Sequence, residues 1–269
     1  MFCKSSTPCN SLFSTSLLVT SLFITGCNSG MIPVSTTAAV AVTGNWQLAS
    51  TAVSASKLPS LSGELTGNST SMTGIFHSNS TTACVAPTQT FDVTGSADSK
   101  MLVTLTGANT VGGTLKVTGT LAADGKSLAD ATYMVTGGSC AFAAPAAATA
   151  QSYSSIDGNY TGSFADSDGQ TIAVNATLTQ TPTSDTDGNF QLSGTGTFPN
   201  NPCFNSPVSI SKSQVTGGSF DLTYSDATTG NSVEALGNFS TDGKTLTVTQ
   251  WTLTGSCGPD TGTGSLIQQ

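Results

Sequence analysis

Histidine, glutamate and arginine, the commonest carriers of acid–base and anion chemistry, are scarce in this 269-residue chain, which holds one histidine, His77, two glutamates, Glu64 and Glu234, and no arginine. A Ser-His-Asp arrangement would have to use His77, and no Gly-x-Ser-x-Gly turn is present to raise a serine for it. His77 directly follows the alternating apolar row Met72, Gly74 and Phe76, so its side chain is expected to point to solvent. Glu64 and Glu234 also alternate with apolar neighbours and are expected on outer faces. They lie in different halves of the chain, so a glycosidase-type carboxylate pair would need the halves to face one another. No glycine-rich phosphate loop follows a strand. The expectation is a non-enzymatic protein without a cofactor.

Two acidic clusters carry the Asp-x-Asp-Gly core found in calcium loops, Asp166, Asp168 and Gly169 in one, Asp185, Asp187 and Gly188 in the other. Neither continues to a bidentate acid at the twelfth position, and the first half of the chain has no counterpart. Tight turns explain both clusters without a metal, which leaves these four aspartates as weak calcium candidates only.

Such side chains must be positioned by strands, because the apolar period is two rather than 3.6. Leu115, Val117, Gly119 and Leu121 form one row; Phe190, Leu192, Gly194, Gly196 and Phe198 form another; Phe220, Leu222 and Tyr224 a third. Each alternates with Thr, Ser or Asn, as antiparallel strands wetted on one side require. Asp-Gly at 124–125, 168–169, 187–188 and 242–243 offers residues tolerant of positive φ for hairpin turns. In the last long strand of each half the apolar parity switches, from Leu246 and Val248 to Trp251 and Leu253, and from Leu128 to Tyr133 and Val135. A β-bulge there would restore the facing.

The chain is internally duplicated. Asp124-Gly125-Lys126 falls on Asp242-Gly243-Lys244, Tyr133 falls on Trp251 with a one-residue gap, and Gly44-Asn45-Trp46 lies 114 positions before Gly158-Asn159-Tyr160. The expected organisation is a β domain at 43–152 and a second at 153–269, with the boundary inside the Ala/Ser-rich passage 143–155. Strand following strand through short turns favours an all-β fold of two tandem antiparallel meanders, each a small up-and-down barrel. A two-sheet β-sandwich explains the alternation equally well.

At the N-terminus an apolar run ends in Ile24-Thr25-Gly26-Cys27 after a segment whose one charged residue is Lys4. This resembles the lipobox of a bacterial lipoprotein. The resemblance implies a signal peptide at 1–26 that is removed, lipidation of Cys27, a lipid-attached tether at 27–42, and, with Asn28 rather than aspartate next, export to the outer membrane of a two-membrane cell. The localisation implied is the cell envelope, facing the periplasm or the surface. Of seven cysteines, processing would remove Cys3 and Cys9 and lipid would occupy Cys27, leaving an even four in an oxidising compartment. None of the four lies within four positions of another, as zinc knuckles require. The separations of 56 and 54 favour Cys84 with Cys140 and Cys203 with Cys257 among the three possible pairings.

Gly44-Asn45-Trp46 and Gly158-Asn159-Tyr160 also resemble the Gly-x-Trp that opens lipocalin-like barrels, which implies barrel topology. Two functions follow. One is a non-enzymatic, membrane-anchored lipoprotein, a monomer acting in envelope interaction or structure through an envelope protein partner. The alternative is carriage or sensing of a small apolar molecule inside the barrels, against Trp46, Phe76, Phe91 and Tyr133 in copy one and Tyr160, Phe190, Phe220 and Trp251 in copy two. Beyond Cys27 there are six lysines against fifteen acids, a net charge of −9, which disfavours nucleic acid and direct adhesion to anionic lipid.

Overall fold

Alternation at a period of two becomes sixteen antiparallel strands in a computed structural model that describes residues 38–51, 60–78, 90–109, 112–137, 144–205 and 207–269. The leader, Cys27, most of the tether, Cys84 and Cys140 lie outside the described residues. Copy one is β1 (Gly44–Ser50), β2 (Leu61–Asn68), β3 (Ser71–Ser78), β4 (Thr90–Ala97), β5 (Leu102–Ala108), β6 (Thr114–Leu121), β7 (Ser127–Thr136) and β8 (Ala146–Tyr153). Copy two is β9 (Gly158–Asp166), β10 (Thr171–Gln180), β11 (Phe190–Thr197), β12 (Val208–Thr216), β13 (Ser219–Ser225), β14 (Ser232–Phe239), β15 (Thr245–Thr254) and β16 (Asp260–Gln268). No described residue is helical.

Each copy is a closed up-and-down barrel in which every strand pairs with its neighbours in sequence. Copy one closes where β1 meets β8, with Trp46 opposite Ser152, and copy two where β9 meets β16, with Phe164 opposite Gly264. The sandwich alternative therefore gives way to the barrel. Closure also leaves neither copy with a free sheet edge to recruit further strands.

The inward parity of each barrel is a single apolar core. In copy one it runs from Trp46 and Leu48 through Phe76, Phe91 and Val117 to Tyr133 and Val135. In copy two it holds Tyr160, Phe164, Phe198, Phe220, Tyr224, Trp251 and their aliphatic neighbours. Register slips fall at the two parity switches, between Leu128 and Thr132 in β7 and between Val248 and Trp251 in β15. The bulges return Tyr133 and Trp251 to the interior. All four Asp-Gly glycines take the predicted left-handed backbone, with φ between 73° and 84°. Gly196 serves another purpose. A Cβ there would lie 2.6 Å from the Tyr224 ring, so the missing side chain is the space that this aromatic fills.

Candidate functional site

The polar chemistry of the molecule collects where copy two rests on copy one. Parity places Asn45 and Gln47 of β1, Ser62 and Glu64 of β2, and His77 of β3 on the outer face of the first barrel. An outer face is ordinarily wet, yet Asn45, Ser62, Glu64 and His77 are all buried. Two turns of the second barrel cover them, the β10–β11 turn around Gly188 and the β12–β13 turn at Gly217 and Gly218.

Each covering turn is gripped through its backbone. Asn45 uses both ends of its amide on Gly217, donating from Nδ2 to the carbonyl at 2.7 Å and accepting from the amide at Oδ1 at 3.0 Å. Gln47 Oε1 accepts from the Gly218 amide at 3.3 Å. Glu64 Oε2 accepts twice from Ser184, from its amide at 2.9 Å and its hydroxyl at 2.7 Å. These bonds repay the desolvation of a buried carboxylate, since hydrogen bonds to a charged group are worth about 1.5–3 kcal/mol each. Gly217 adopts φ of 55°, and a Cβ on it would lie 2.3 Å from Ser62 Oγ, so the residue type is dictated by backbone conformation and by the closeness of the seat.

The segment joining the copies is held as firmly. Ile156 is fully buried and its amide donates to Gln180 Oε1. Asp157 Oδ1 accepts from the Gln180 amide, and Tyr153 packs edge-on against Phe239 at 5.3 Å. Beside this segment a cleft of about 410 Å³ is lined by Thr43, Lys126, Tyr153, Asp157, Gln180 and Phe190 among others.

His77 does not point to solvent as its neighbours suggested. It is 5% exposed, because the β10–β11 turn lies against the ring, and burial holds its pKa below the ordinary 6.5 despite nearby Asp185 and Asp187. The outward position was legible from parity; its covering by a segment more than a hundred residues away was not. One local signal existed. Ile75 is an apolar residue on the outward parity, between Glu64 on β2 and Asp92 on β4.

Two of the four calcium candidates, Asp166 and Asp185, commit side-chain oxygens to their own turns. Asp166 Oδ1 accepts from the amides of Asp168 and Gln170, and Asp185 Oδ1 from those of Asp187 and Asn189. Among the described residues no three His, Cys, Asp or Glu side chains are grouped to hold a metal. Glu64 and Glu234 are not brought together: Glu64 binds Ser184, and Glu234 sits on β14 near Asp221, whose pKa is raised by burial and by that glutamate.

All eight aromatic candidates face the interiors, none more than 4% exposed. Polar aromatic atoms are satisfied at the barrel ends, with Trp46 Nε1 donating to the Val42 carbonyl at 2.8 Å and the Tyr160 hydroxyl to that of Gly243 at 2.6 Å. Copy two adds an aromatic cluster in which Phe164 stacks on Trp251 and meets Tyr224 edge-on. Cys203 and Cys257 form the disulfide expected for copy two, with Cα atoms 5.9 Å apart. The buried Asn231 ties both arms of that staple, donating to the Cys203 carbonyl and accepting from the Cys257 amide. Phe204, next to the staple, stacks on Phe198 at 4.3 Å.

No protein-family model matches the chain, and no curated protein matches it. Among solved structures it is similar to EF1p2_mFAP2b bound to DFHBI, at 12% identity and a TM-score of 0.30, over 42% of this chain and 94% of that one.

Proposed function

We propose that this is a lipid-anchored, non-enzymatic envelope protein whose paired barrels work through their outer surfaces. The observation that carries the reading is the occupancy of both interiors by the barrels' own side chains, Trp46, Phe76, Phe91 and Tyr133 in one, Tyr160, Phe164, Phe198 and Trp251 in the other. Eight strands enclose a space little wider than the side chains pointing into it. The side chains most capable of acid–base chemistry, His77 and Glu64, are engaged in holding the copies together. The anchor rests on Ile24-Thr25-Gly26-Cys27, and stable attachment would need more than one acyl chain on Cys27.

Metabolic labelling with palmitate tests the anchor. The full chain is expected to take label and fractionate with membranes, and Cys27→Ser to lose both properties; label retained by Cys27→Ser overturns the assignment. A second reading, carriage of a small apolar molecule, is favoured by one observation. The Tyr224 hydroxyl is fully buried among aromatic rings and has no hydrogen-bond partner among the described residues, an arrangement that costs about 1–3 kcal/mol. Native mass spectrometry after incubation with membrane extract separates the two. Bare protein supports the surface role, and a retained ligand lost in Tyr224→Phe moves the function to carriage.

A further inference from the structure

The ring of His77 lies where the turn backbone of copy two comes down directly on β3. Gly188, with φ of 84°, lets the turn approach so closely that a Cβ on it would lie 3.1 Å from His77 Nδ1, 3.3 Å from the Ile75 carbonyl oxygen and 3.4 Å from Gly63 Cα. We propose that this contact is an acid-released latch, in which protonation of His77 loosens the seating of the β10–β11 turn so that the two barrels, held together at neutral pH, part as the surroundings acidify.

The chemistry of the ring supports a direction. His77 is hydrogen-bonded to the backbone of Asp187, while Nδ1 is buried with no partner among the described residues. A proton placed on Nδ1 would meet the closely seated turn with no hydrogen-bond acceptor among the described residues. The charged groups facing the ring come from three elements. Glu64 on β2 already accepts twice from Ser184, and Asp92 on β4 stands beyond Ile75. Asp185, in the turn, has Oδ1 bound to two turn amides and Oδ2 to Gln191 Nε2. Asp187 supplies a negative charge as well as its backbone bond. These acids attract a cation, but burial outweighs them and the seated ring takes a proton less readily than a freed one. With the seated pKa below the ordinary 6.5, docking is strongest above that value and weakens as pH falls through it toward the seated pKa.

Two backbone amides report the latch directly, because Ser184 donates to Glu64 and Gly217 to Asn45 across the seam. Hydrogen exchange of the full chain, corrected for intrinsic rates, should show protection at both amides falling several-fold between about pH 7.5 and about pH 5.5. Protection at Val117, inside copy one, should hold. His77→Gln, which cannot charge, should keep the two amides protected across that range. Asp187→Asn, which removes an attractive charge, should enlarge the acid loss. Flat protection in the unaltered chain overturns the latch, as does a His77→Gln variant with unaltered pH dependence. If His77→Gln already exposes both amides at neutral pH, Asp187→Asn decides: an enlarged acid loss supports the latch and an unchanged one overturns it.

Discussion

The outer face of β1–β3 and that of β9–β11 occupy the same place in two barrels of the same register, and only the first is covered. In copy one Asn45 pairs with Glu64 and Glu64 with Ile75, while Gln47 pairs with Ser62 and Ser62 with His77. In copy two Asn159 pairs with Thr177 and Thr177 with Thr195, while Thr161 pairs with Asn175 and Asn175 with Thr197. Those six residues of copy two line a shallow groove of about 240 Å³, and Thr177 donates to Asn159 Oδ1, the atom equivalent to the one that grips Gly217 in copy one. The fold is common to both; what differs is whether the face carries Glu, Ile and His or three threonines. A seat for another barrel is thus made by side chains on an otherwise ordinary wet face.

The largest expected effect comes from unsettling the copy that supplies the turns. Cys203→Ser opens a closed loop of 54 residues, worth roughly 4 kcal/mol by the chain-entropy model. Calorimetry should show copy two losing more stability than copy one, followed by exposure of the Glu64 and His77 peptides as their cover is withdrawn. An equal loss in both would mean that the seam couples the barrels into one melting unit.

The sharpest test of the comparison is the pair of asparagines. Asn45→Ala strips two hydrogen bonds and strands the Gly217 amide and carbonyl in a buried seam, a cost of about 2–4 kcal/mol. Asn159→Ala removes an exposed partner of Thr177 and should stay within about 0.5 kcal/mol. Comparable losses in chemical denaturation would show that the two faces are not functionally distinct. The two Asp-x-Asp-Gly turns offer a smaller contrast. Gly169 has open space where a Cβ would go and Gly188 has the His77 ring, although their φ values are 81° and 84°. Alanine should cost about 1–2 kcal/mol of backbone strain at either, but only Gly188→Ala should also expose the Ser184 and Gly217 amides. Loss of their protection in Gly169→Ala would remove the seam from the explanation.

Much of the barrel was legible because strand alternation is geometric: a row such as Phe190, Leu192, Gly194 leaves one face apolar wherever it folds. Even the bulges could be read, since a parity switch inside a strand has few other solutions. The closing strands were harder. Ala146–Tyr153 and Asp260–Gln268 are rich in small residues, because side chains inside a narrow barrel must be small somewhere, and the first of them resembled a boundary. The seam was read least well. Parity announces that Glu64 and His77 point outward, but not that the β10–β11 turn will arrive from 120 positions away to cover them.

Beneath the differing faces the two cores share a property that an alkaline titration can separate by cause. Burial pushes Tyr133 up to about 12, eased by a hydrogen bond with Ser50. Burial also pushes Tyr160 up to about 12, here reinforced by the charges of Asp157 and Asp242. A buried phenol with a raised pKa keeps its proton in the folded barrel, so its contribution to stability is complete below the ordinary value of 10.0 and is lost as pH climbs from there through about 12. At neutral pH none of that contribution is lost, which makes this the smallest change expected under ordinary conditions. Observed through ¹³C-labelled tyrosine rings, Asp242→Asn should bring the Tyr160 titration to lower pH and leave Tyr133 in place. The asparagine still offers an oxygen to the Ser240 hydroxyl and the Lys244 amide, so the turn survives the change. Equal shifts at both tyrosines would mean that the charge acts through global loosening, and the two cores would then be as coupled as the seam that joins them.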